Sequence, residues 1–161
     1  MATRSTIALE FADGTIGQVY CHWDGYLAHN GKLLQEFYAN PFVLRDLIDL
    51  GSLSSLRPTI GTKHPFSHYD NPGMTSDEFY KLYGDMCTFY GRDRGEGQSD
   101  ATYFKDFADY RANGQAEEYD YILRNVNGVA TWFVSDHGGE FVLFTEAFAK
   151  ELEAEKEALP L

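Results

Sequence analysis

Only two cysteines, Cys21 and Cys87, stand in the 161 residues, and no CxxC spacing joins them. A disulfide framework and a thiolate zinc site are therefore excluded as the basis of the fold, and two reduced thiols in the cytoplasm are expected. The opening MATRSTIALEF carries no long apolar run behind its basic residue, so no signal peptide is expected. No stretch approaches the length needed to cross a bilayer. Positive charge is scarce too: 13 Lys and Arg face 25 Asp and Glu, a formal net charge of -12. A nucleic-acid polymer would be repelled over most of such a surface, and much of the acidic excess lies in the last helix rather than in the dense array of a DNA mimic. GxSxG, Walker and dinucleotide-binding patterns are all missing.

What the chain does have is aromatic residues, 16% of the total. Some must be half-exposed or lie at an interface, which favours stacking surfaces or a homo-oligomer. The length suits one domain with its own core.

TRSTIALEFADGTIGQVYCHW alternates Ile7, Leu9 and Phe11 on one face and sets Asp13-Gly14 between two strand-like runs, which predicts a hairpin. HNGKLLQEFY and NPFVLRDLIDLG follow as two helices, the second with Asn40 as N-cap, Pro41 at its first position and Gly51 as its stop. Residues 52–75 read as a long irregular segment with a short strand near Ile60, functional or mobile by its length. TSDEFYKLYG predicts a helix capped by Thr75 or Ser76, MCTFYGRDRGEG a strand running into a glycine-rich loop, and DATYFKDFADYRANG an amphipathic helix. A second hairpin is expected about Asn127-Gly128, extended by EFVLF, before a charged helix over about 145–157 and a frayed tail. The sum is an α+β fold: an antiparallel sheet built from N- and C-terminal hairpins, with helices packed against it.

Two clusters are candidate binding sites. If Asp13-Gly14 forms a two-residue turn, Ser5 pairs with His22 and Arg4 with Trp23, gathering a guanidinium, an indole, a hydroxyl and an imidazole beside Asp24 and Tyr26. Such a group suits a stacked base and a phosphate, and it equally suits an arginine closing the edge of a core over a tryptophan. In FYGRDRGEG, Arg92 and Arg94 stand between Gly91 and Gly95, beside Phe89 and Tyr90. There the guanidinium forks either converge on a small anion or neutralise acids such as Asp85 and Glu96. His64 and His68 with His22, Asp24 and Asp70 raise the question of a metal, but Pro65 argues against a helical ligand pair, and neither metal nor cofactor is expected. Glu117, Glu118 and Asp120 are candidate general bases or a solvated start of a strand.

Thr3-Arg4-Ser5, His22-Trp23-Asp24-Gly25-Tyr26, the NGKLL after it and the later TFYGRDRGE, taken together, resemble a widespread group of small proteins carried by tailed phages and prophages. The likeness covers about the first 60 residues and the 86–96 segment. It implies a genomic setting, and with it the cytoplasm of an infected bacterium, but no mechanism. Small phage proteins of that setting often counter host defence. The sponges that inhibit Thoeris and CBASS immunity hold cyclic nucleotides between aromatics and arginines, and this chain is similar to them in the kinds of residue it offers.

The expectation that follows is a protein that binds a small, cyclic nucleotide signal without cleaving it. Trp23, Tyr26, Phe89 or Tyr90 would stack the base while Arg4, Arg92 and Arg94 take the phosphates. The alternatives are a nucleotide-cleaving enzyme of phosphodiesterase type, with His22 as base oriented by Asp24 or Glu118, and an inhibitor that binds a host protein.

Overall fold

A computed structural model describes residues 2–97 and 99–158. Among the described residues eight strands form one mixed sheet, in the order β4-β3-β2-β1-β6-β7-β8, with β5 sharing the outer edge of β2. The strands are β1 (Ser5–Glu10), β2 (Ile16–Cys21), β3 (Leu53–Ser55), β4 (Thr88–Phe89), β5 (Thr102–Phe104), β6 (Tyr119–Val126), β7 (Val129–Asp136) and β8 (Val142–Leu143). The helices are α1 (Lys32–Phe37), entered through a π turn at Leu27–Gly31, then α2 (Pro41–Asp49), α3 (Ser76–Tyr83), α4 (Tyr90–Arg94), α5 (Phe107–Asn113) and α6 (Phe144–Ala158). The tail expected to fray past residue 157 ends in 159–161, outside the described residues.

The fold is α+β, but the sheet is not purely antiparallel. Each predicted hairpin forms, and the two meet through β1 and β6, which pair in parallel from Ser5 against Tyr119 to Leu9 against Leu123. β2 and β3 are parallel as well, at Cys21 and Leu53. Parallel neighbours need long crossovers, and the chain between β1 and β6 supplies one that carries most of the helices.

The first hairpin also pairs one residue away from the expected register, with Ser5 opposite Cys21 and Glu10 opposite Ile16. A two-residue type I′ turn needs positive φ at both central positions. Here Gly14 alone has it, at 88°. The Gly14 N–H donates to Phe11 O at 2.9 Å and the Phe11 N–H to Thr15 O at 2.8 Å, so the loop is a three-residue turn with a glycine bulge. The second hairpin takes the tight form, with Asn127 and Gly128 at φ 52° and 85°.

Alternation along the strands gives each face of the sheet its own core. Ile7, Leu9, Val19, Tyr121, Leu123 and Trp132 face α1, α2 and α6. In α2 the side chain of Asn40 caps Phe42 N at 2.9 Å, Pro41 fills the first turn, and Leu44, Leu47 and Ile48 are wholly buried. Each of those three contributes about 1.5–3 kcal/mol of hydrophobic stabilisation before the entropy of ordering is charged against it. The opposite face buries Ala8, Ile16 and Ile122 beneath Phe104 and Tyr110.

Three local expectations change. The segment read as irregular holds β3 at its start, while Ile60 is flanked only by an isolated bridge between Thr59 and Met86. The glycine-rich loop after β4 is a helical turn, α4, that ends at Gly95 in the left-handed region. The predicted helix over DATYFKDFADYRANG is shorter, because β5 takes Thr102–Phe104 and Asp106 caps α5 by accepting from Asp109 N at 2.8 Å.

Candidate functional site

The HWDGY segment leaves β2 and crosses the end of β3, where Trp23 N–H donates to Ser54 O at 3.0 Å. Asp24 then adopts φ 57°, the left-handed conformation that a short polar side chain tolerates. Gly25 follows because nothing larger fits: a Cβ there would lie 2.6 Å from Ser5 Cβ and 2.9 Å from Thr3 O. Its carbonyl accepts from the hydroxyl of Tyr121 at 2.6 Å. The clustering of aromatic, imidazole and carboxylate is thus produced by a tight turn that throws Trp23 outward, 44% exposed.

Trp23 and Asp24 form one wall of a cleft of about 320 Å³. Its floor is the hydroxyl-bearing end of β3 and β4, with Ser54, Ser55 and Thr88. The far wall comes from Phe66, Ser67 and His68 and from Phe79, Tyr80 and Tyr83 of α3, and Arg57 also lines the space. A reciprocal cap fixes α3, since Glu78 N donates to Thr75 Oγ1 at 3.1 Å and Thr75 N to Glu78 Oε2 at 3.4 Å. Behind it His64 stacks on Tyr83 at 5.3 Å between ring centroids. The rings of the far wall are therefore held from behind while Tyr80 stays 58% exposed.

The two predicted clusters come together in part. Tyr90 packs against Phe66 at 5.7 Å, and Arg94 lies over both rings while pairing with Glu96. Burial pushes the Tyr90 phenol above its ordinary value, with the Ser54 hydroxyl opposing. Tyr90 and Arg94 thus adjoin Phe66, which lines the cleft with Trp23 and Asp24, without lining it themselves.

Three predicted site residues are corrected. Phe89 and Ser5 have no exposed surface, so neither has a ring face or a hydroxyl to offer a ligand. Arg92 is spent inside the protein: Nε donates to Asp93, Nη1 to Ile60 O at 2.9 Å and Nη2 to Cys87 O at 2.8 Å. The remaining three lie away from the cleft lining. Tyr26 is 41% exposed beside His29, Arg4 is exposed, and His22 meets Trp23 edge-on at 4.8 Å. The Nδ1 of His22 is 2.7 Å from the Tyr20 hydroxyl, which takes the place foreseen for Asp24 or Glu118.

His64, weighed as a metal ligand, has both ring nitrogens facing carbonyl oxygens, Pro65 at 2.8 Å and Cys87 at 3.0 Å. Among the described residues no group of three or more His, Cys, Asp or Glu side chains is placed to hold a metal. Both thiols are buried, which pushes Cys21 up to about 12 and Cys87 in the same direction, so neither is an activated nucleophile. Among the described residues no helix is long and apolar enough to cross a membrane.

Sequence reasoning missed Arg57, Phe66, Tyr80 and Tyr83. For Arg57 and Phe66 the available signal was the irregular 52–75 segment itself, whose aromatics and Arg57 point to a wall rather than to a linker, while Tyr80 and Tyr83 stand on the helix that follows it.

No protein-family profile, curated protein or solved structure matches the chain.

Proposed function

We propose that the protein binds a small nucleotide in the Trp23–Arg57 cleft and sequesters it without cleaving it. The observation that carries this reading is the joining, in one cleft, of an outward indole and the rings of Phe66 and Tyr80 with a guanidinium, in a chain of net charge -12. The aromatic faces suit a planar base, Arg57 suits a phosphate, and hydroxyls on the floor suit a ribose. A volume of about 320 Å³ takes one nucleoside phosphate unit. A cyclic dinucleotide would then be spanned by two copies, which is the homo-oligomer that the aromatic content predicts. The resemblance to phage-borne proteins supplies a setting, in which sequestration blunts a nucleotide-signalled host defence.

A thermal-shift panel of linear and cyclic mono-, di- and trinucleotides and ADP-ribose derivatives, with chromatography of the recovered ligand, tests the reading. A ligand at a hundred times its Kd stabilises the folded state by about 2.7 kcal/mol. The expected result is a raised Tm with intact ligand, lost in Trp23→Ala and Arg57→Ala. An unshifted panel, or a shift that survives both substitutions, overturns it.

A cleaving enzyme is the second reading, favoured by the half-buried imidazole of His22 oriented by Tyr20 beside the cleft wall. Recovery of altered ligand, abolished in His22→Gln, selects it.

A further inference from the structure

On the face of the sheet away from α1, α2 and α6, the register sets Tyr20, Thr6, Asp120 and Ser135 side by side across β2, β1, β6 and β7. The next rung on this face is largely apolar, with Ala8 opposite Ile122 and Ile122 opposite Phe133. A polar row beside it, buried at Thr6, Asp120 and Ser135, calls for a reason. Asp120 is 5% exposed, yet its partners are neutral: Thr6 Oγ1 donates to Oδ1 at 2.6 Å, and Glu117 N lies 3.1 and 3.2 Å from the two carboxyl oxygens. Among the described residues no Lys, Arg or His forms an ion pair with it. Burial pushes the carboxyl up to about 6, with the charge of Glu117 adding to the effect. The Ser135 hydroxyl donates its hydrogen bond to Gly139 O at 2.7 Å.

Tyr110 of α5 roofs this row. It is 3% exposed, and its hydroxyl makes no close hydrogen bond, having only a weak approach to the Thr6 hydroxyl, whose proton points to Asp120. A buried hydroxyl left wholly unsatisfied costs about 1–3 kcal/mol, so a closer acceptor here is favourable. Burial, and then the charge of Asp120, raise its phenol above the ordinary value, with the Thr6 hydroxyl opposing. Between roof and row lies a cavity of about 150 Å³, lined by Tyr110, Asp120 and Ser135, with Arg111 and the Gly138-Gly139 turn at its borders.

We propose that this cavity is a second binding site, taking a small primary ammonium compound that carries a neighbouring oxygen. The ammonium supplies the counter-charge that the Asp120 carboxylate lacks and donates to it. The oxygen accepts from the Tyr110 hydroxyl, a closer partner than the Thr6 hydroxyl gives it, and Arg111 favours an oxygen over a second cationic group. A net charge of -12 raises the local concentration of cations, and the small volume limits the ligand to a few heavy atoms. The inference is independent of the Trp23 cleft, whose lining shares no residue with this cavity.

The probe is ethanolamine, titrated at pH 7.5 and constant ionic strength into protein labelled at the Asp carboxyl and Tyr ring carbons and followed by NMR. Tetramethylammonium, which has the charge and no N–H, is the control. Saturable shifts at Asp120 and Tyr110 with ethanolamine alone are expected. Asp120→Asn should abolish the response, Tyr110→Phe should weaken it several-fold, and Trp23→Ala should leave it intact. Shifts that do not saturate, or equal shifts with tetramethylammonium, overturn the site. Those two outcomes are read on the unaltered protein and do not depend on any variant folding. A response that persists in folded Asp120→Asn overturns it as well.

Discussion

Arg92 donates from Nε to Asp93 Oδ1 at 3.0 Å, and the pair joins three segments of the chain at a point with almost no solvent. The Asp93 carboxyl, with no exposed side-chain surface, also accepts from His64 N at 3.1 Å and Phe89 N at 2.8 Å. Through its other nitrogens Arg92 holds the carbonyls of Ile60 and Cys87. The GRDRG motif is thereby a brace that fixes the 60–64 strap against β4, and the far wall of the cleft is built on that strap.

This assigns Arg92 to stability rather than to ligand contact. Arg92→Ala leaves a buried carboxylate uncompensated, and the expected loss is about 3–5 kcal/mol in urea unfolding. Arg92→Lys keeps the charge without the fork and should recover only part of it. A melt unchanged by Arg92→Ala would return this side chain to the list of ligand contacts.

Gly25→Ala tests why the HWDGY turn is built as it is. The added methyl meets the side chain of Ser5 and the backbone oxygen of Thr3, neither of which is the loose end of a flexible chain. Overpacking of this kind costs about 1–3 kcal/mol, read as a lower urea midpoint with an unchanged m-value. Tolerance of the methyl would mean that the turn yields to Ser5 without cost and that its close approach does not require glycine.

Local chemistry made much of the fold legible and left the long-range part hidden. Asn40, Pro41 and Gly51 announced α2 because caps act within one turn, and Asn127-Gly128 announced a tight hairpin because both residues tolerate positive φ. The parallel contact of β1 with β6 had no local signature, since those strands are separated by more than a hundred residues and chosen by tertiary packing. Asp13-Gly14 looked like the same tight turn, and the bulge at Gly14 moved every partner by one position. That slip gave Ser5, which alternates with Ile7 and Leu9 into the core, Cys21 as its partner in place of His22. Independently of it Arg92, read as a phosphate contact, found its anion one residue away in Asp93.

Asp24 separates fold from binding at a single position. Its φ of 57° suits glycine at least as well as aspartate, so Asp24→Gly should leave stability within about 1 kcal/mol of the parent. Its carboxylate lines the cleft, where it opposes an anionic ligand. Isothermal titration of Asp24→Gly with the nucleotide identified by the panel should therefore show tighter binding, by several-fold at low salt and less at high salt. Weaker binding would indicate that the carboxylate accepts a hydrogen bond from the base or sugar.

The buried carboxyl of Asp120 sets a pH dependence opposite in sign to that of a salt-bridged acid. Its folded pKa stands at about 6 against an ordinary value of 3.8. Between those two values the folded state holds a proton that the unfolded state has released, so this group's contribution falls as pH rises from 4 to 6 and stays low above that. The penalty at neutral pH is on the order of 3 kcal/mol. Asp120→Asn keeps an oxygen to accept from Thr6 and Glu117 and carries no charge. The variant should thus be more stable than the parent at pH 7.5 and nearly equal to it at pH 4, as measured by urea unfolding across that range. A difference independent of pH would show that the carboxyl titrates normally. A variant less stable at pH 7.5 would show that the charge is already compensated within the folded chain, and the case for an ammonium ligand would fall with it.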